Sequence, residues 1–206
     1  MDFYEAIRSR YSVRRYEGRP IPDDVRARLL DAIRFAPSAC NNQPWHFILV
    51  QDEAKRREVA AACMGQHWIA GAPLVVVGCG WESRAYRSMG GYWNSLAVDL
   101  AIALDHLTLA AAAEGLGTCW IGAFDEAALK EALGIPEEVL PVALTPVGYP
   151  AAPVRHTPRK PLEEITSVDG WAGGPSVARA NCWRSSQVSS WARESARAAS
   201  ALSPWR

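Results

Sequence analysis

The chain lacks the patterns that announce most site chemistries. Its four histidines and five cysteines are scattered. No CxxC pair, HExxH helix or mixed Cys/His spacing brings them into ligand register, so no metal site is expected. The cysteines (Cys40, Cys63, Cys79, Cys119, Cys182) are odd in number and read as reduced, mostly buried thiols of a cytoplasmic protein. Neither sign of charge is in excess: 22 basic and 22 acidic residues give a net charge of zero. That removes the global electrostatic case for a nucleic acid or a membrane as partner. No early apolar run has a basic flank and a small-residue cleavage site, so no signal peptide is expected. The most apolar run, Leu96–Ala113, carries Asp99, Asp105, His106 and Thr108, which argues against a membrane span. A complete GxGxxG is missing too. Gly78-Cys79-Gly80 follows an apolar run, but Ser83 stands where the third glycine belongs, so a strand-end turn is expected there rather than a dinucleotide loop. There are no internal repeats.

What is present suits one globular domain. Of 206 residues, 49% are hydrophobic and 21% charged, enough for a real core. Asp2 and Glu5 form a capping box for a short helix with Phe3 and Ile7 on its apolar side. Pro22-Asp23-Asp24 opens a second helix, striped by Val25, Leu29, Leu30 and Ile33 and closed before Pro37. Trp45–Val50 reads as a strand, residues 53–63 as an Ala-rich helix, and 73–78 as a buried Val-rich strand. Residues 82–91 read as a mobile surface segment, and 93–114 as a long helix apolar nearly all round, ended by Gly115 and Gly117. An extended piece (118–124), a helix (125–133) capped by Asp125 and stopped by Gly134, and a strand (141–148) follow. Strands alternate with helices through short links, which predicts a mixed central sheet with helices on both sides. Residues 172–206 differ in kind, with five arginines, one acid, eight serines and eight alanines. They are expected to be a disordered or loosely packed extension, or a weak amphipathic helix lying on a neighbouring subunit. Without them, residues 1–171 hold 17 basic and 21 acidic side chains, a net charge of −4.

Several segments have the chemistry of a ligand site. In Arg10-Tyr11-Ser12-Val13-Arg14-Arg15, an extended backbone puts Arg10, Ser12 and Arg14 on one side and turns Val13 inward. Two guanidiniums and a hydroxyl in a row suit a phosphate or a polar heteroaromatic edge, and a solvated basic face equally. Residues 36–45, APSACNNQPW, place Ser38, Asn41, Asn42 and Gln43 between two prolines, where amides able to donate and accept suit a flat ring rich in carbonyls and nitrogens. In residues 115–124, GLGTCWIGAF, glycines allow the backbone to lie against a planar group, or simply cap a helix before a strand. Arg159-Lys160 is a late basic pair that suits a phosphate or plain surface.

Taken in order, RxSxR, PSxxNxQPW, a long Ala-rich helix, GLGTCWIG, PVGYP and RKPLEEI resemble the FMN-dependent nitroreductase family over residues 3–165. The resemblance implies an α+β nitroreductase-like fold and an intertwined homodimer with FMN at the interface. It makes residues 1–171 the FMN-binding domain and leaves 172–206 as the extension. It implies an NAD(P)H oxidoreductase reducing a small electrophilic acceptor, such as a nitroaromatic or a quinone, by ping-pong hydride transfer through flavin N5, with NADH or NADPH as donor. No side chain need act as acid or base, because the flavin carries the chemistry. Carried over by position, Arg10, Tyr11 and Ser12 hold the phosphate and ribityl end, with Arg159 and Lys160 closing it. Arg14 faces the pyrimidine edge. Pro37, Ser38, Ala39, Asn41 and Gln43 come from the partner subunit. Trp120, Ile121 and Gly122 line the ring and offer backbone near N5. Gly122 stands where many members carry an acid, which leaves that contact to the backbone. Residues 65–68 and 82–93 form the wall that chooses the acceptor. A flavin-dependent dehydrogenase or dehalogenase of the same fold, and a non-catalytic flavin-binding protein, are the alternatives.

Overall fold

The computed structural model describes residues 1–153 and 157–171. The chain divides into two compact units, Met1–Thr157 and Pro158–Arg206, and of the second only residues 158–171 are described. The expectations for residues 172–206, Cys182 among them, lie outside the described residues.

The first unit opens with α1 (Phe3–Ser9), closed at its start by the reciprocal Asp2–Glu5 capping box. α2 (Asp23–Arg34) follows, with Leu29 and Ile33 buried. Four strands form one sheet in the order β1 (Trp45–Val50), β2 (Leu74–Gly80), β4 (Leu140–Gly148) and β3 (Gly117–Thr118). Among the described residues all three strand pairings are antiparallel, and the mixed character is confined to one parallel bridge, Ser12 to Thr118. The remaining helices are α3 (Glu53–Ala62), α4 (Leu96–Ala113) and α5 (Glu126–Leu133).

β2 decides the layering. Every one of its residues is buried, as its unbroken apolar run requires. Val75, Val77 and Cys79 face a core with Val59 of α3 and Leu129 of α5. Leu74 and Val76 point the other way, to Leu29 and Ile33 of α2 and Leu104 and Leu107 of α4. Helices therefore cover both faces of the sheet, as the alternating pattern predicts. The GCG segment is not a turn. Gly78 and Gly80 lie within β2, and a Cβ on Gly80 would sit 2.4 Å from the Pro44 carbonyl oxygen, so close backbone approach explains that glycine.

One helix starts later than expected, and another leaves its apolar side open. α4 starts at Leu96 instead of Trp93, because Trp93 pairs with Met89 in a small bridge and the Asn94 side chain accepts from the Leu96 N–H. On α1 only Ala6 is buried, while Phe3 and Ile7 are 63% and 45% exposed. α4 shows the same condition along one stripe. Ala97, Val98, Ala101, Ile102, Leu109, Ala110 and Ala113 remain exposed or half-exposed at helical spacing, while Leu100, Leu104 and Leu107 are fully buried. A cavity of about 260 Å³ opens where α1 and α4 meet, lined by Phe3, Ala6, His106, Leu109 and Ala113.

Candidate functional site

The basic row is built by the pairing of residues 12–13 with β3 and of residues 15–17 with residues 149–151, which follow β4. Arg10 ends α1 and turns the chain into an extended conformation. The Val13 N–H then donates to the Thr118 carbonyl at 2.8 Å, the Ala151 N–H to that of Arg15 at 2.9 Å, and the Glu17 N–H to that of Tyr149 at 2.8 Å. Val13 is buried, and Ser12 and Arg14 are exposed on the opposite side, as the alternation requires. Gly117 makes the approach possible, since a Cβ there would meet Val13 Cγ2 at 2.4 Å. The Tyr11 hydroxyl donates to the Ala152 carbonyl at 3.1 Å, and that of Tyr16 to the Val13 carbonyl at 2.8 Å. Burial pushes the Tyr16 phenol well above its ordinary range.

The row acts electrostatically on the buried Cys119. Burial raises the pKa of this thiol, while Arg14, the Ser12 hydroxyl and Arg10 act in the opposite sense. Neither arginine has a carboxylate partner among the described residues. Arg14 instead lies over the Trp68 indole, 5.9 Å from its centroid. The row is an unneutralised cationic face.

Beside it runs the segment after β3. Regular pairing stops at Thr118, earlier than expected, yet Ile121 exchanges both backbone hydrogen bonds with Leu144 at 2.9 and 3.0 Å. Ile121 is buried beneath the surface, and Trp120 (45% exposed) and Gly122 flank it in solvent. A Cβ on Gly122 would meet only the Trp120 indole nitrogen at 3.9 Å, so the space over this glycine is open. The Gln66 amide donates to the Cys63 carbonyl at 3.0 Å and the Ala123 carbonyl at 3.3 Å. It thereby ties the turn His67–Gly71 to the same segment.

The stretch 36–44 is held elsewhere. Cys40, Asn41 and Gln43 adopt φ of 53°, 54° and 47°, left-handed conformations that are sparsely populated for residues with a Cβ. The Gln43 N–H donates to Ser38 Oγ at 2.9 Å, and the Gln43 amide to Asn41 Oδ1 at 3.2 Å. A buried group from α4 secures them: Asp99 accepts from the Ala39 N–H at 3.0 Å and from Ser95 Oγ at 2.6 Å. Asp99→Ala removes the acceptor of the buried Ser95 O–H, which still accepts from the Tyr86 N–H, and leaves the Ala39 amide unpaired. It is expected to cost about 2–3 kcal/mol, read from the urea midpoint, with Asp99→Asn costing less because one acceptor remains.

Ser38, Asn41 and Gln43 do not meet Arg10 and Arg14 within this chain. The stretch feeds β1, at one edge of the sheet, and the basic row pairs with β3, at the other edge. Three inter-strand steps of about 4.8 Å separate the two edges. Pro37, Ala39 and the amides therefore form one half of a surface and the arginine row another. Arg159 and Lys160 belong to the second unit, exposed ahead of the turn Leu162–Glu164, and are described with that unit alone. Trp68 and Gln66 join the Arg14 face, though the sequence marks them only as a loop-like, aromatic piece.

The nitroreductase family model matches residues 7–89 and 66–149, which takes in both halves of this surface. The chain belongs to the nitroreductase family. It is 32% identical over 169 residues to the FMN reductase [NAD(P)H] of Bacillus subtilis, covering 75% of this chain and 68% of that protein. Among solved structures it is similar to a nitroreductase family protein of Clostridium difficile, with 27% identity, a TM-score of 0.77, and coverage of 83% of this chain and all of that one. It is also similar to the NADPH:FMN oxidoreductase of Vibrio harveyi complexed with NAD+, with 26% identity, a TM-score of 0.74 and coverage of 83% and 78%. Membership agrees with the α+β architecture described above.

Proposed function

We propose that this nitroreductase-family chain is an FMN-dependent NAD(P)H oxidoreductase that reduces a small electrophilic acceptor, a nitroaromatic, a quinone or a related compound. The observation that carries this reading is the row of half-buried Arg10 and exposed Ser12 and Arg14, lacking carboxylate partners among the described residues and set beside the exposed segment at Trp120 and Gly122. That donor set fits FMN, whose phosphate bears about two negative charges at neutral pH. Arg10 and Ser12 would hold the phosphate through charge-assisted hydrogen bonds, with Tyr11 contributing by its backbone. Arg14 would face the pyrimidine edge as a fixed cation, stabilising negative charge there. Trp120 and Gly122 would lie along the ring, and Ile121 would hold their backbone in place through Leu144. FMN, when bound, supplies the two-electron chemistry, accepting from NADH or NADPH and passing the equivalents to the acceptor in a ping-pong cycle.

The other half of the cradle comes, in this reading, from a second copy. Pro37, Ser38, Ala39, Asn41 and Gln43 sit at the wrong edge of the sheet to serve their own arginine row. The apolar stripe of α4, with Phe3 and Ile7 of α1, is the surface two copies would bury between them. The acceptor wall at 65–68 and 82–93, the 1–171 domain and a cytoplasmic setting, consistent with the free thiols at Cys40, Cys63, Cys79 and Cys119, complete the proposal.

The test is direct. Purified protein should be yellow with a flavin spectrum, bleach anaerobically with NADH or NADPH, and regain colour with a nitroaromatic or quinone. A colourless protein that takes up no added FMN would refute the reading. A protein that is yellow but not bleached by either nucleotide would point to a dehydrogenase or dehalogenase.

A further inference from the structure

The geometry points to Trp68 as a positioning residue that fixes the Arg14 guanidinium, and through it sets the reduction potential of the cofactor; the inference rests on the FMN reading above. An exposed arginine is a poor electrostatic element. Its long side chain samples many rotamers, and its field is screened within about 8 Å at physiological salt. Arg14 is exposed and has no carboxylate or hydrogen-bond partner among the described residues. Its guanidinium lies over the Trp68 indole face, 5.9 Å from the centroid, within the range of a cation–π interaction.

The indole is itself anchored. Trp68 is half-buried and packs against the core cluster on the α3 and α5 side of the sheet. Its neighbour Ile69 is fully buried. On its other side, Gln66 is bonded to Cys63 and Ala123. The platform under Arg14 is thus tied to the segment that carries Trp120 and Gly122. The cation and the backbone facing the ring are held in one frame, so Arg14 is offered to the ring edge in a single place instead of an average over rotamers.

Two measurements test this, one of them independent of flavin. In protein with 15N-labelled arginine, the Arg14 Nε–H resonance, assigned by its loss in Arg14→Lys, should be displaced upfield by the indole ring current. It should move to the random-coil position in Trp68→Leu and stay displaced in Trp68→Phe. In the FMN-loaded protein, Trp68→Leu should lower the preference for reduced over oxidised flavin about tenfold, a fall of roughly 30 mV in a two-electron midpoint potential, and Trp68→Phe should restore most of it. Thermal melts of both variants control for lost packing. An unshifted Arg14 signal in the wild type, or a wild-type potential in Trp68→Leu with the flavin bound, overturns the inference. If the protein binds no FMN, the functional reading falls and the potential-setting role with it. The resonance of Arg14 then decides the contact alone.

Discussion

Arg10→Ala combined with Ser12→Ala should weaken FMN binding about a hundredfold or more. Each side chain gives up a hydrogen bond to a charged group, worth about 1.5–3 kcal/mol, so the pair loses about 3–6 kcal/mol. The two side chains project from the same side of an extended segment, and the fold survives their loss because the anchors of that segment are Val13, Tyr11 and Tyr16. Riboflavin makes the experiment specific. It lacks the phosphate, so its affinity should change little while that of FMN falls, and the ratio between the two should collapse. Flavin fluorescence quenching measures both. An equal loss for the two ligands would remove Arg10 and Ser12 from the phosphate site.

The second large effect concerns the α4 stripe. Ala101→Arg places a long cation in the middle of the half-exposed apolar row, far in sequence from every proposed flavin contact. If two copies meet along this row, the variant should sediment as a monomer. It should also bind FMN at least a hundredfold more weakly, because Ser38, Asn41 and Gln43 would no longer reach the arginine row of another chain. The expected magnitude follows from losing several polar contacts at once, each worth about 0.5–1.5 kcal/mol. A folded monomer with undiminished FMN affinity would show that one chain suffices and would defeat the composite site. Far-UV circular dichroism separates either outcome from unfolding.

Much of the fold was legible because its signals are local. The Asp2–Glu5 box, the unbroken run in β2, and α5 between Asp125 and a left-handed Gly134 each depend on residues a few positions apart. Where the reading differed, a longer-range partner intervened. Trp93 leaves the expected helix to pair with Met89, and the predicted extended run 118–124 keeps only Thr118 and the Ile121 bridge, since its partners, β4 and the segment at Ser12, are distant in sequence. Phe3 and Ile7 formed an apolar face as expected, but periodicity does not say what such a face meets. The same division holds for the site. The common side of Arg10, Ser12 and Arg14 follows from alternation. The placement of Asn41 and Gln43 at the opposite edge follows from strand order, and the seat of Arg14 on Trp68 from the packing of a turn 54 positions away in the chain; neither is written in local composition.

The left-handed run at Cys40, Asn41 and Gln43 also limits how this protein can diverge. Side chains branched at Cβ are strongly disfavoured at positive φ, so valine, isoleucine and threonine are closed to these three positions whatever their contacts. Change there must pass through glycine, asparagine, aspartate or unbranched residues. Asn42, with φ of −68°, is free of that restriction. Any diversification of the stretch toward bulk or apolarity should therefore collect at residue 42, leaving its neighbours as a narrow, recurring vocabulary around one variable letter.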